Sequence, residues 1–104
     1  MLKIAELANH ILDLVADELE IPKKQIISKS RKAETVDARH MAVRLLHLQN
    51  IYPSRIAEIF ALSPRNVQYI ITAFDTRIQA NKQLRNTYVR IAKQIDDTYE
   101  IDMK

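Results

Sequence analysis

The chain contains neither glycine nor cysteine in its 104 residues. The P-loop and the dinucleotide-binding fingerprint are both built on glycines, so neither phosphate-binding motif is present. Turns with positive φ angles, which sheets need, also favour glycine. The absence therefore favours helices joined by short turns that contain Asn, Ser and Pro. Without cysteine there is no disulfide and no thiolate metal site, which is typical of an intracellular protein.

Aromatic residues and long apolar runs are also scarce. Aromatics make up 6% of the chain and hydrophobic residues 47%, which predicts an aliphatic core of useful size. Charged residues interrupt every apolar stretch within a few positions, so the sequence predicts no transmembrane span and no secretory signal. The three histidines, His10, His40 and His47, lack the spacing of a zinc site. We expect no cofactor, no metal, no small-molecule substrate and no enzymatic activity.

Charge is present but unevenly distributed along the chain. Residues 28–95 carry twelve Lys and Arg against four acidic residues, a net charge of +8, although the whole chain carries only +3. The first 27 residues have a net charge of −2, and residues 96–104 have −3. A basic centre between acidic ends is expected of a surface that binds a polyanion. A solvated helical surface rich in Lys and Arg is the alternative.

Hydrophobic spacing predicts a small all-α bundle of five or six helices. Apolar residues recur at helical spacing over residues 2–19, and Pro22 suits the first position of a short second helix. The polar stretch 28–35 is interpreted as an exposed basic loop. Asp37 is then the predicted N-cap of a third helix that ends near Asn50, with Val36 and Met41 as a hydrophobic staple.

The second half of the chain predicts two or three more helices. A short helix over 55–61 is followed by Ser63, a predicted N-cap, with Pro64 at the first helical position. A last helix over 81–99 is predicted to begin at Asn81, although one long helix through residues 79–81 is the alternative. Residues 1–95 then form a single domain, and the acidic residues 96–104 form a frayed tail.

Residues 56–71 have the apolar spacing of a helix-turn-helix. A small residue, Ala57, stands where two closely packed helices meet, and Leu62 stands in the turn. In such a motif the second helix lies in the major groove of DNA. The remaining predicted inward positions are Ile56, Phe60, Val67, Ile70 and Ile71.

The outward face of the second helix is rich in side chains that can bind DNA. Arg can form paired hydrogen bonds with guanine, and Asn or Gln with adenine. A helix N-terminus such as the one after Ser63 also suits a phosphate group. An ordinary solvent-facing helix surface is the alternative. The predicted major-groove residues are Arg65, Asn66, Gln68, Tyr69 and Thr72.

Several short runs between Ile11 and Ile78 match the pattern of a known family. They are Val15-Ala16, Ile21, Ile26-Ile27-Ser28-Lys29-Ser30-Arg31-Lys32, Val36-Asp37-Ala38-Arg39-His40-Met41-Ala42 and Ile56-Ala57-Glu58-Ile59-Phe60. No gap is needed between Val15 and Ala42. On these runs, about two thirds of the chain resembles the C-terminal DNA-binding domain of the bacterial replication initiator DnaA.

The resemblance implies a fold and a set of DNA contacts. It implies a DnaA C-terminal-domain-like or Trp-repressor-like bundle, in which a basic loop precedes a helix-turn-helix. The loop arginine that enters the minor groove in the family corresponds to Arg31. The family arginine that lies against the DNA backbone corresponds to Arg39, with His40 beside it. Together with Lys29, Lys32, Arg55 and Ser63, these two residues are the predicted phosphate contacts.

The sequence departs from the family at its signature, which runs Gly-Gly, a basic residue, Asp-His-Thr-Thr and Val. The corresponding stretch 61–67 is one residue shorter and keeps only Val67. The two base-reading threonines fall at Arg65 and Asn66. The helix-turn-helix pattern and the basic loop still favour one hypothesis over the others. This first hypothesis is sequence-specific binding of double-stranded DNA by a cytoplasmic, nucleoid-associated protein. The alternatives are a protein-interaction module, or a transcription regulator that dimerises through residues 81–99, on a helix-turn-helix scaffold that has lost initiator-site recognition.

Overall fold

The computed structural model describes the backbone of residues 3–102 and the side chains of residues 3–96. Within that part of the chain the structure contains helices and no strand, which confirms the predicted all-α bundle. Its helices are α1 (Ile4–Leu19), α2 (Lys23–Ile27), α3 (Ala33–Leu48), α4 (Pro53–Phe60), α5 (Pro64–Ala80) and α6 (Lys82–Asp102).

Helix α1 has the predicted amphipathic pattern. Its apolar stripe, which includes Leu7, Ile11 and Val15, is buried, whereas the acidic residues of the opposite face are exposed or half-buried. The helix ends where Glu20 adopts a left-handed conformation with φ of 55°. The Ile21 amide then donates to the Ala16 carbonyl at 3.1 Å, so the chain turns directly into α2. Leu2, where this helix was predicted to begin, lies outside the described residues.

The predicted start of α3 is wrong by one helical turn. Helix α3 begins at Ala33, so Asp37 lies inside the helix and is not its N-cap. Val36 and Met41 also lie inside the helix and therefore do not form the predicted hydrophobic staple. Thr35, in the first turn of α3, is buried together with Ala38, so this turn takes part in the packing of the helix. The Asp37 carboxylate forms an ion pair with Arg77 of α5. The loop before α3 therefore comprises only residues 28–32.

Helix α3 is the centre of the bundle and packs against α1, α2, α4 and α5. The core is aliphatic, as the composition predicted, with Phe60 and Phe74 as its largest buried side chains. The Phe74 ring meets Tyr88 of α6 edge-on at 5.5 Å between ring centroids. This contact and the Arg90–Glu18 ion pair hold α6 against α5 and α1.

The helical conformation is interrupted between α5 and α6, so the alternative of one long helix is wrong. Asn81 has an extended conformation, and its side-chain oxygen accepts a hydrogen bond from the Leu84 amide at 2.9 Å. Asn81 therefore caps the last helix as predicted. The backbone of α6 is helical to Asp102, but the side chains of the predicted acidic tail beyond Asp96, including Tyr99, lie outside the description.

The described part of the chain contains neither a candidate membrane span nor a candidate metal site. None of its helices combines the length and the apolar content that crossing a bilayer requires. Nor do its His, Asp and Glu side chains gather into a group of three that could hold a metal ion.

Candidate nucleic-acid interface

Helices α4 and α5 are joined by the short turn 61–63. Ala61 has a φ of 53°, in the left-handed region where glycine is favoured. The Leu62 amide donates to the Ala57 carbonyl at 2.9 Å, which closes the C-terminus of α4. Leu62 is half-buried beneath the turn. The other six predicted inward residues are all buried: Ile56, Ala57, Phe60, Val67, Ile70 and Ile71.

The N-terminus of α5 is capped as the sequence predicted. The Ser63 hydroxyl accepts a hydrogen bond from the Asn66 amide at 3.1 Å, and Pro64 occupies the first turn. Because Pro64 has no amide hydrogen and that of Asn66 is used by the cap, the free amide of the first turn is that of Arg65. The predicted phosphate site at this helix terminus therefore offers fewer free backbone amides than expected.

Beyond this cap, the outward face of α5 is open to solvent. Its predicted major-groove residues, Arg65, Asn66, Gln68, Tyr69 and Thr72, are all exposed. Tyr69 is 68% exposed, whereas Val67 on the opposite face is fully buried. Within the described part of the chain, no carboxylate pairs with the Arg65 guanidinium, so its donors are available to a ligand.

The basic loop 28–32 is held in place by an arginine from α3. The Arg39 guanidinium donates through Nε to the Ile26 carbonyl at 2.9 Å. Through Nη2 it donates to the carbonyls of Ser28 at 2.6 Å and Ser30 at 3.0 Å. Arg31 and Lys32 are exposed, and neither has an ion-pair partner among the described residues. The structure thus separates an arginine that organises the loop from two cations that the loop presents.

A side-chain hydrogen bond joins this loop to the turn before α5. The Lys29 ammonium group donates to the Ala61 carbonyl at 2.9 Å, across 32 positions of sequence. Ala61 ends α4, whose C-terminus carries partial negative charge that favours a cation. The loop therefore lies beside the first turn of α5. In this arrangement the predicted minor-groove residue and the predicted major-groove residues belong to neighbouring segments.

Three of the predicted phosphate contacts, Arg39, His40 and Arg55, are less available to a phosphate than the sequence predicted. The donors of Arg39 are directed at carbonyl oxygens, and burial lowers the pKa of its guanidinium. Burial, followed by the nearby Arg39 charge, lowers the pKa of His40, so this imidazole is neutral at pH 7. Arg55 lies 3.7 Å from Glu58 with both side chains exposed. An exposed pair of this kind contributes at most about 1 kcal/mol, so a phosphate can compete for Arg55.

The acidic residues of the basic centre are largely neutralised by pairing. Asp37 pairs with Arg77 and Asp75 with Arg44, and both pairs lie where α3 packs against α5. With Glu58 also paired, Glu34 is the acidic residue of 28–95 without an ion pair among the described side chains. Among the described residues, the side chains of Arg31, Lys32 and Arg65 have neither an ion pair nor a hydrogen bond. We define the candidate DNA-facing surface as loop 28–32 with the outward residues of 63–72.

The comparisons with known proteins agree with this picture at a coarse level. No family model matches the chain. The chain is similar to the chromosomal replication initiator protein DnaA of two strains of Leptospira biflexa serovar Patoc, with 29% identity over 86 residues. The match covers 82% of this chain but 20% of each relative, so the chain spans about one fifth of their length. This similarity is consistent with a DnaA-like domain.

Proposed function

We propose that this chain binds double-stranded DNA through a helix-turn-helix formed by α4 and α5, together with the basic loop 28–32. Binding, without catalysis, is the whole of the proposed activity. The partner is duplex DNA, and the proposed location is the nucleoid. The observation that carries the proposal is the 2.9 Å contact between Lys29 and the Ala61 carbonyl, because it brings two separately predicted DNA-binding segments together.

The two parts of the candidate DNA-facing surface have different roles in this proposal. Arg65, Asn66, Gln68, Tyr69 and Thr72 enter the major groove, where their hydrogen bonds to base edges select the sequence. Arg31 enters the adjacent minor groove. Lys32, Arg55 and the Ser63 terminus hold phosphates, which supply affinity but little sequence choice. This division is supported by Arg31, Lys32 and Arg65, since none of these cations has a carboxylate partner among the described side chains.

The proposed biological setting is based on the similar proteins. Their name assigns them to the initiation of chromosomal replication, and we propose a related role at a replication origin. The signature stretch differs, with Arg65 and Asn66 where the family has base-reading threonines. We therefore expect this chain to prefer a DNA sequence other than the initiator's standard site. Because the chain matches only one fifth of those relatives, this part of the proposal concerns DNA binding alone.

The salt dependence of duplex binding tests the proposal directly. Affinity for a duplex selected from a random pool would be measured by fluorescence anisotropy at several salt concentrations. If Arg31, Lys32, Arg55 and Arg65 together neutralise four phosphates, log K should fall against log salt with a slope of about −3.6. The Arg31→Ala/Arg65→Ala variant should bind more weakly and with a shallower slope. Lys82→Ala/Lys93→Ala is the matched control, because it removes the same formal charge from exposed positions of α6.

Each result of this experiment has a clear meaning. Selective weakening of the Arg31→Ala/Arg65→Ala variant supports the proposed surface. Equal weakening of both double variants would indicate attraction to overall charge rather than to this surface. If the unmodified protein binds no duplex at low salt, the DNA-binding proposal is wrong. The alternative of a protein-interaction module on the same scaffold would then be favoured.

A further inference from the structure

The loop 28–32 needs an external support because its own sequence provides little. It contains no proline or glycine that would restrict or specify its turn, and its residues are polar. Its internal bonds are short-range ones: the Ser30 amide donates to the Ser28 hydroxyl at 3.2 Å, and the Lys32 amide to the Ser30 hydroxyl at 3.4 Å. Fixing each backbone residue of a free loop costs roughly 1–2 kcal/mol in entropy. Something outside the loop must offset that cost if Arg31 is to be held ready.

Arg39 has the geometry of such a support. Its guanidinium spans three carbonyl oxygens on both sides of the bend, at Ile26, Ser28 and Ser30, within 2.6–3.0 Å. The side chain is half-buried and comes from α3, the central helix, whose own position is fixed by the core. A planar fork with several fixed donors suits this task. A lysine has a single ammonium group on a flexible stem and cannot reproduce it.

We infer that Arg39 is a positioning residue, which holds loop 28–32 in a DNA-ready shape and presents Arg31 without itself contacting phosphate. This inference rests on the proposed DNA binding and assigns a role that differs from the phosphate contact implied by the family resemblance. Lys29 completes the arrangement, because its bond to Ala61 connects the loop to the turn before α5. Arg39 orders the loop, and Lys29 holds the loop beside the N-terminus of α5.

The ordering role is tested first in the protein without DNA. Backbone 15N order parameters of residues 28–32 would be measured for the unmodified protein and for Arg39→Lys, which keeps the charge. We expect values near about 0.85 in the unmodified protein and a fall toward about 0.6 or lower in the variant. Arg55→Lys is the matched control, since it makes the same change at an arginine outside the loop and should leave these values unchanged.

The presenting role is tested by a double-mutant cycle with DNA. If an ordered loop is lost, Arg39→Lys should weaken duplex binding by about tenfold, because one or two residues must then be ordered on binding. Arg31→Ala should also weaken binding. Their combination should cost less than the product of the two separate losses, since both changes act on the Arg31 contact. Multiplication of the two losses would instead show that Arg39 contacts DNA independently, and would overturn the inference.

A third measurement keeps the inference falsifiable if Arg39→Lys does not fold. In the unmodified protein the Arg39 Nε–H should be protected from exchange, because it donates to the Ile26 carbonyl. Rapid exchange of that proton, or an equally ordered loop in Arg39→Lys, overturns the ordering role. Failure of the proposed function has a different signature: the unmodified protein binds no duplex while its loop remains ordered and its Arg39 Nε–H protected. That outcome would remove the DNA-presenting role and leave Arg39 as a loop brace only.

Discussion

The two halves of α5 have the same kind of inward face but opposite kinds of outward face. Val67 and Ile71 in the first half, and Phe74 in the second, all pack into the core. Outside, Arg65 in the first half has no carboxylate partner among the described residues. In the second half Arg77 pairs with Asp37, and Asp75 pairs with Arg44. The first half presents its polar groups to solvent, whereas the second uses them to attach the helix to α3.

This difference shows that residue type alone does not decide whether an arginine is available to a ligand. Arg65 and Arg77 lie on the same helix, and the side chains of both are exposed to solvent. The neighbouring helix α3 supplies a carboxylate to one of them and not to the other. A count of basic residues therefore overstates the positive charge available to a ligand, because ion pairs between α3 and α5 neutralise part of it.

The largest expected effect separates the inward from the outward face of α5. Phe74→Ala removes a ring that is 1% exposed and meets Tyr88, so it should lower the free energy of unfolding by about 3–5 kcal/mol. Urea denaturation would measure the change. Tyr69→Ala is the control: because Tyr69 is 68% exposed, the change should be within about 0.5 kcal/mol. Comparable losses at both positions would contradict the assignment of the two faces.

The next prediction compares the two outward arginines of α5. Arg65→Ala should weaken binding to the preferred duplex by about 1–3 kcal/mol and reduce discrimination at one base position. Arg77→Ala should leave affinity nearly unchanged and lower the free energy of unfolding by at most about 1 kcal/mol, since its ion pair is partly exposed. Anisotropy titrations and urea denaturation distinguish the two. A larger affinity loss for Arg77→Ala would reverse the comparison.

A third prediction concerns the cation at the end of the basic loop. Lys32→Ala should weaken binding to every duplex to a similar extent, and should reduce the magnitude of the salt slope by about 1. The reason is that a phosphate contact adds affinity without reading bases. Binding to the selected duplex and to a scrambled duplex would be compared across salt concentrations. A loss confined to the selected duplex would mean that Lys32 takes part in sequence recognition.

A smaller effect on stability is expected at the turn 61–63, which precedes the first half of α5. Ala61→Gly should raise the free energy of unfolding by about 0.5–1 kcal/mol, because glycine adopts a φ of 53° without the steric cost of a Cβ atom. Thermal and urea unfolding would measure the gain. Ala80→Gly, at the last residue of α5, is the control and should be neutral or destabilising. A destabilised Ala61→Gly variant would contradict the left-handed turn.

The last prediction concerns the effect of pH on stability through His40, which lies near the Asp37–Arg77 ion pair between α3 and the second half of α5. His40 faces the charges of Arg39, Asp37 and Arg77, and its folded pKa is lowered below the usual 6.5, chiefly by burial. The unfolded chain therefore binds more protons than the folded chain just below pH 6.5. Stability from this source is complete above pH 6.5 and decreases as the pH falls toward the lower folded pKa. His40→Gln should flatten that part of the stability profile, and an unchanged profile would contradict the burial of the imidazole.

Local patterns in the sequence were sufficient for most helices and for the outward residues of α5. Ser63 and Pro64 mark the start of α5, because a side-chain cap and a fixed φ act within one turn of chain. Helical periodicity then assigns Val67, Ile70 and Ile71 to the core and leaves Arg65, Asn66 and Gln68 outside. The same reasoning failed at Asp37, because a good capping residue can also lie within a helix when a distant arginine pairs with it.

The roles of the individual cations were decided by contacts between segments that are distant in the chain. Arg39 reaches back 9–13 positions to the loop carbonyls, and Lys29 reaches forward 32 positions to Ala61. No spacing rule predicts either contact, because each depends on how α3 and α4 pack around a shared core. Periodicity reports which face of a helix meets the core. Only the packed arrangement shows which charge meets a carbonyl, which meets a carboxylate, and which is left for a ligand.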